Sequence, residues 1–434
     1  MIDSEPAADA RSNRTNAAAA RISLFVGKGG VGKSTLATAT AVRDARMGLR
    51  VLIVSTDQAH STGDVLGVVI TPTGERRPTR VLADLDAGRD VGSGGFLDAL
   101  ALDTLALLET RWREVAGVLA ERFPESDLGT VAPEELSALP GIQEVLGLHE
   151  VGELAASGDW DHVVVDCAST ADAMRMLTLP ATFGLYLERA WPRHRRLSLA
   201  ADESRAAAVV ALVERVAAGT EGLSALLTDE SRVTAHLVLT PERVVAAEAA
   251  RTLGALALMG VSVDELIVNQ FLVQDDSYEY RNLPEHPAFD WYTERISEQR
   301  TVLEELDTTI GDVKLVLVPH LPGEPIGPKA LADLLDSARR RDGSPPPGPL
   351  RPVVDRESGS GLDAVYRLRL KLPQVDPATL TLGRVDDDLI IGAAGLRRRV
   401  KLASVLRRCI VLDAQLRGGE LTVRFRPDPE VWPA

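Results

Sequence analysis

Gly27-Lys28-Gly29-Gly30-Val31-Gly32-Lys33-Ser34-Thr35 follows directly on the apolar run 22–26 and leads into residues 36–47, which have helical spacing and stop at Gly48. The stretch has the form G-x-x-x-x-G-K-[ST] in the strand–loop–helix setting the motif requires. Its glycines let the backbone curl until several N–H groups converge on one anion, and the helix N-terminus adds its dipole. Residues 27–35 therefore read as a phosphate cradle: Lys33 would reach the β- and γ-phosphates, and the Ser34 hydroxyl would take one position on Mg²⁺. An ordinary glycine-rich turn would use the same glycines. Here strand, spacing and helix agree on nucleotide binding.

Working outward, short continuous runs of branched and leucine residues recur at 22–26, 51–54, 163–165, 237–239, 266–268 and 315–318. Continuous rather than alternating apolarity suits strands buried on both faces, as in a parallel sheet covered by helices. The leucine-rich segment 96–123 reads as a helical insertion between the second and third strands. After Arg339-Arg340-Arg341 comes a Pro/Gly-rich stretch, and 339–361 reads as an extended linker. Beyond it the period changes. Tyr366-Arg367-Leu368-Arg369-Leu370-Lys371-Leu372 alternates strictly, and 389–391/400–402 and 410–416/421–425 read as hairpins, the latter across Gly418-Gly419. The expected architecture is α/β: a mostly parallel sheet covered by helices over 21–338, a loose tail over 1–20, and a small antiparallel β-sandwich over 362–427.

The composition restricts function. The chain has 434 residues, 45% hydrophobic and 26% charged, which fits folded domains rather than disorder. A formal charge of −15 argues against a partner held by phosphate neutralisation, so no nucleic acid is expected. Two cysteines, Cys167 and Cys409, leave no metal-binding CxxC within a chain, and Cys167 reads as a buried, inert thiol. No apolar run approaches a membrane span and the first 20 residues lack a secretion-signal core, so a cytoplasmic protein without stable membrane insertion is expected. Trp191-Pro192-Arg193-His194-Arg195-Arg196 reads as a solvated charged face.

Two acids sit where such sheets bind ligands, just past the carboxyl ends of strands. Asp57 would orient or deprotonate an attacking water and lie beside the metal. Asp166 ends a hydrophobic strand and would hold Mg²⁺ through water. Either could instead be a helix N-cap. His60 reads equally as a partner of the nucleotide or as a plain hydrogen-bonded histidine.

The string Lys28-Gly29-Gly30-Val31-Gly32-Lys33-Ser34-Thr35 resembles the deviant P-loop ATPases, whose signature lysine, here Lys28, reaches across a dimer to the other subunit's nucleotide. Further motifs resemble the arsenite-pump/tail-anchored-protein-targeting family. Ser55-Thr56-Asp57-Gln58-Ala59-His60-Ser61 is similar to its switch I, with Gln58 in place of proline. Asp166-Cys167-Ala168-Ser169-Thr170 is similar to its switch II, from which Ser169, Ala171 and Asp172 depart. Pro140-Gly141-Ile142-Gln143-Glu144 matches a family string, Asn269 occupies the position that reads the adenine edge, and Pro319-His320-Leu321 begins the loop that closes over the base. Arg417–Phe425 resembles a strand pair of the α-crystallin-like domain of small heat-shock proteins, which some family members append.

The resemblance implies a homodimer that binds ATP and Mg²⁺, with Lys28, Lys33 and Asp57 catalytic and Ser34, Asp57 and Asp166 around the metal. Hydrolysis would open and close a surface for an apolar protein client, of which a membrane-protein segment is one form. The family's client groove is rich in methionine; this chain has five. The alternatives are a positioning or partition ATPase and a non-catalytic, nucleotide-gated scaffold.

Overall fold

The computed structural model describes residues 19–57, 61–83, 95–122, 142–202, 204–273, 286–310, 313–341, 352–372, 375–393 and 395–432. His60, Pro140 and Gly141, and the expected tail up to residue 18, lie outside them. The first part of the chain builds β1 (Arg21–Gly27), β2 (Arg50–Ser55), β3 (Thr79–Leu82), β4 (Phe96–Ala101), β5 (His162–Asp166), β6 (Val233–Leu239), β7 (Val263–Phe271), β8 (Lys314–Pro319) and β9 (Arg339–Arg341). They form one sheet in the order β3-β4-β2-β5-β1-β6-β7-β8-β9. The seven inner strands are parallel to their neighbours, and only the edge strands β3 and β9 run antiparallel. All six continuous apolar runs are strands of this sheet. Every residue of β5 is buried and Leu24, Phe25 and Val26 of β1 are fully so, as burial on both faces demands.

Helices α1 (Lys33–Arg46), α2 (Ser61–Leu66), α3 (Thr104–Arg122), α4 (Ile142–Ala156), α5 (Thr170–Ala190), α6 (Arg193–Asp202), α7 (Ser204–Leu227), α8 (Arg243–Met259), α9 (Pro287–Ile310) and α10 (Pro328–Asp336) connect the strands. The segment expected to be helical from residue 96 begins instead as β4. Phe96-Leu97-Asp98-Ala99-Leu100-Ala101 pairs in parallel with β2, and the helix starts only at Thr104. Pairing overrides the Leu/Ala helix preference. Asp98, buried inside the strand, is satisfied by Arg80 of β3 and by Trp160 Nε1 at 3.0 Å.

At the amino ends of the strands, away from the P-loop, a chain of buried polar groups ties β1, α1, β5, β6 and β7 together. Asp44 Oδ2 lies 2.8 Å from His162 Nδ1, and Ser23 Oγ sits between His162 Nε2 at 2.9 Å and His236 Nε2 at 3.1 Å. His236 Nδ1 faces Glu265 at 3.5 Å, and Arg340 of β9 closes on the same acid at 3.1 Å. The carboxylate assigns the tautomers: His162 donates to Asp44, Ser23 donates to His162, and His236 donates to Ser23. Burial pushes the Asp44 carboxyl up, yet the hydrogen bond from His162 and the charge of Arg43 outweigh it and hold the group below its ordinary value.

The C-terminal part forms a second core between two antiparallel sheets. One has the order β10 (Val353–Ser358), β11 (Val365–Lys371), β16 (Glu420–Pro427), β15 (Cys409–Arg417); the other runs β12 (Thr381–Val385), β13 (Asp388–Ala393), β14 (Leu396–Lys401). Leu368, Leu370, Leu421, Val423 and Phe425 of the first meet Leu389, Ile391 and Val400 of the second. Gly418 and Gly419, at φ 56° and 73°, make the two-residue turn between β15 and β16. The stretch read as linker is ordered at both ends: Arg339–Arg341 pairs with β8, and Val353–Ser358 pairs with β11. Its arginines and flanking prolines hide short edge pairings that only the neighbouring strands supply. Leu258 of α8, 1% exposed, belongs to this second core, so the two parts are packed together rather than merely tethered.

Candidate functional site

Residues 27–35 lie where β1 passes into α1, at the carboxyl edge of the sheet. Gly32, the residue before the helix, has φ 91°, and a Cβ there would lie 2.2 Å from Asn269 Nδ2. Only glycine meets both conditions. The first turn of α1 holds no acid and receives no side-chain cap, so its N–H groups are left for an anion. Lys33, 8% exposed, donates from Nζ to the Lys28 carbonyl at 3.2 Å and so lies curled within the loop. Lys28 points elsewhere: its Nζ lies 3.6 Å from Glu248 Oε2 of α8.

Asp166 ends β5 completely buried. Its Oδ2 accepts from Thr62 Oγ1 of α2 at 3.2 Å, and its Oδ1 has no partner among the described residues. Ser61 Oγ donates to Ser34 Oγ at 2.7 Å. Burial, chiefly, pushes the Asp166 carboxyl up to about 6, with the nearby Asp57 adding to the rise while Ser34, Thr62 and Lys33 oppose it. An orphaned carboxylate oxygen beside a hydroxyl and a second carboxylate is a donor set for a small hard cation, and the residues present fit Mg²⁺.

Switch I and switch II are tied to each other, since Thr56 N–H donates to the Asp166 carbonyl at 3.1 Å. The departures at switch II have a structural account. Ser169 caps α5, its hydroxyl accepting from Asp172 N–H at 3.3 Å and donating to Asp172 Oδ2 at 2.7 Å, and Asp172 also pairs with Arg175. Cys167 is 1% exposed and burial pushes its thiol up to about 12, so it is inert.

Asn269 is brought to the P-loop itself. Its Nδ2 donates to the Val31 carbonyl at 2.9 Å, which braces the loop from β7. Pro319 ends β8 and His320 and Leu321 follow it at the same edge, where His320 N–H donates to the Phe271 carbonyl at 2.9 Å. Residues of 321–327 then run against α2, where Gly327 N–H meets the Val65 carbonyl at 2.9 Å. Thr62 and Glu248 carried no motif in the sequence; no spacing rule links residue 62 to 166, or 248 to 28. The basic run at 191–196 is only partly solvated: Arg196 is buried on Glu188, Glu214 and the Trp191 carbonyl.

The anion-transporting ATPase family model matches residues 20–338. The chain belongs to this family. A second model, the HSP20-like domain found in ArsA, matches residues 363–425. Protein Rv2184c of Mycobacterium tuberculosis is 74% identical over 417 residues, 96% of this chain and 98% of that protein. A putative arsenical pump-driving ATPase of Aquifex aeolicus is 25% identical over 93% of this chain and 99% of its own length. The ATPase GET3A of Arabidopsis thaliana is 27% identical over 80% of this chain and 90% of its own length. This ArsA-like ATPase thus binds nucleotide and hydrolyses ATP, and its antiparallel C-terminal sheets are the HSP20-like domain. No helix among the described residues is long and apolar enough to cross a membrane.

Proposed function

We propose that this ATPase works in the cytoplasm as a homodimer that closes on two ATP–Mg²⁺ and opens on hydrolysis, and that the movement grips and releases an apolar protein segment. The observation that carries the client reading is an exposed apolar surface on helices that begin at switch II. Phe183 and Tyr186, three residues apart on one face of α5, are 43% and 67% exposed, and Leu197 of α6 is 49% exposed. Aromatic and leucine side chains held in water at this spacing favour a helical or extended apolar partner. Met176 is 3% exposed and belongs to the core, so aromatic rather than methionine side chains would form the gripping surface.

In the site, Lys33 uncurls from the Lys28 carbonyl to the β- and γ-phosphates while the open first turn of α1 holds their oxygens. Ser34, Asp57 and Asp166 hold the metal, which when bound neutralises charge on the transferring phosphoryl group. Asp57 orients the attacking water, and the partner subunit's signature lysine adds a second cation as charge develops. Asn269 carries two tasks, bracing Val31 through Nδ2 and offering Oδ1 to the base.

The Asp57→Asn variant, which would stall with ATP bound, should retain a soluble apolar helical peptide through size exclusion only when ATP–Mg²⁺ is present. Tyr186→Asp should abolish that retention and leave peptide-free ATP turnover within about twofold, because a surface side chain remote from the phosphates alters no catalytic contact. Retention that ignores both nucleotide and Tyr186 would remove the client assignment.

A further inference from the structure

Helix α8 touches the nucleotide end of the molecule with one turn and the HSP20-like domain with another. Near its start, Glu248 holds Lys28 at 3.6 Å, and both line a cavity of about 10 Å³ with Thr170 and Thr252, room for a single water. Thr170 Oγ1, at the first position of α5, has no protein partner among the described residues and faces this space. Near its end, Leu258 is buried with Leu389, Ile391 and Val400 of the other domain. Gly260 closes the helix at φ 82°, and Arg398 of β14 lies across that end. Its Nη1 donates to the Ala257 carbonyl at 3.4 Å, and its Nη2 is 2.8 Å from where a Cβ on Gly260 would stand.

Arg398 has no carboxylate partner among the described residues, and burial alone lowers its guanidinium to about 10. A half-buried cation of this kind needs negative charge nearby, and here the Ala257 carbonyl at the helix C-terminus supplies it. Its fit therefore depends on where the end of α8 lies. From Glu248 to Ala257 the helix is unbroken, about 14 Å of stiff backbone. The contact at its other end is weak by design of the chemistry: a half-exposed lysine–carboxylate pair at 3.6 Å is readily outcompeted by phosphate oxygens.

We propose that α8 is a lever joining Lys28 to the HSP20-like domain, with Glu248 as a positioning residue that holds the lysine until nucleotide draws it away and Arg398 as the contact that feels the change. The inference rests on the reading that Lys28 serves bound ATP. When Lys28 leaves, Glu248 loses its counter-charge, the helix resettles, and the Arg398 contact loosens. By linkage, an undocked C-terminal domain must change ATP affinity by the factor by which ATP changes docking.

Hydrogen exchange on the full chain reads this directly. The Gly260 and Val261 amides donate to the Ala257 and Leu256 carbonyls at 3.1 and 3.0 Å, so they report on the helix end that Arg398 covers. Saturating ATP–Mg²⁺ should speed their exchange by about fivefold or more, the usual size of such couplings. Glu248→Gln should bind ATP and lose that change. Arg398→Met should show fast exchange with or without ATP and a matching shift in ATP affinity, while Arg398→Lys should restore part of the nucleotide response. Equal exchange with and without nucleotide, in a sample shown to bind ATP, overturns the lever alone. A chain that binds no ATP overturns the nucleotide reading and the lever with it. A full ATP response in Glu248→Gln also overturns the role of the lysine pair.

Discussion

At the scale of single residues, Lys33 and Asp166 are the two charges whose setting the fold makes unusual. Lys33 is curled into its own loop and Asp166 is sealed with one oxygen unpaired among the described residues. Removing the lysine leaves phosphate charge without its flexible cation, so Lys33→Ala should lower turnover by about 10²–10³, the usual loss when one preorganised electrostatic contact to the transition state is deleted. Steady-state phosphate release checks it, and unchanged turnover would reject the site. Asp166 makes a pH prediction for metal-free, nucleotide-free protein. Its carboxyl is raised from 3.8 to about 6, so the folded state favours the protonated form. The stabilisation is complete below about pH 4 and is lost as pH rises through about 6, up to roughly 3 kcal/mol at about 1.4 kcal/mol per unit. Thermal melts of wild type and Asp166→Asn should therefore diverge across that window, and excess Mg²⁺ should narrow the gap for wild type only. Parallel curves would show that the acid is ionised and already satisfied.

At the scale of elements, α5 starts from a cap built of Ser169 and Asp172, two of the three residues that depart from the family's switch II. Losing the Ser169 hydroxyl leaves the Asp172 N–H uncapped, at a cost of about 1 kcal/mol. Ser169→Ala should lower stability by that amount and reduce turnover more than ATP affinity, because α5 joins Asp166 to the exposed Phe183–Tyr186 face. Denaturant melts and nucleotide titration separate the two effects, and an unaltered protein would make the cap incidental. What the sequence disclosed follows the same physics. Six of the seven inner strands were legible because burial on both faces leaves them continuous apolar runs. The P-loop was legible because phosphate chemistry fixes the spacing of its glycines, lysine and hydroxyl within residues 27–35. β4 was not, since Leu97, Ala99, Leu100 and Ala101 favour a helix until β2 pairs with them. β12 was not either, as all five of its residues are exposed and carry no buried face to alternate. Arg339–Arg341 and Val353–Ser358 owe their strand character to pairing with β8 and β11 rather than to any pattern of their own. Glu248 and Arg398 escaped for a related reason: each acts on a residue more than a hundred positions distant, across a contact that only folding creates.

At the scale of the whole molecule, one P-loop per chain and a half-exposed Lys28 beside Glu248 bear on the proposed homodimer, in which a second copy would finish each active site. Mixing subunits tests this. In a mixed dimer of Lys28→Ala and Lys33→Ala chains, a lysine acting across the interface places both lesions in one site and leaves the other intact, so turnover should recover toward half of wild type, whereas a lysine acting within its own chain leaves one lesion in each site. No recovery in verified mixed dimers would count against assembly of the site from two subunits. At the opposite end of the sheet, the chain from Asp44 through His162, Ser23 and His236 to Glu265 has the contrary character, since it is built from this chain's own groups, with Arg43 beside Asp44 and Arg340 closing on Glu265. Asp44, His162, Ser23 and His236 are joined by successive hydrogen bonds, so exchanging one alone strands a buried neighbour, while exchanging the whole set for apolar residues of like size would cost little. Positions 23, 44, 162, 236 and 265 are thus bound to a common inheritance: drift can pass through them only in concert, and a lineage that loses one histidine should be found to have rewritten the rest.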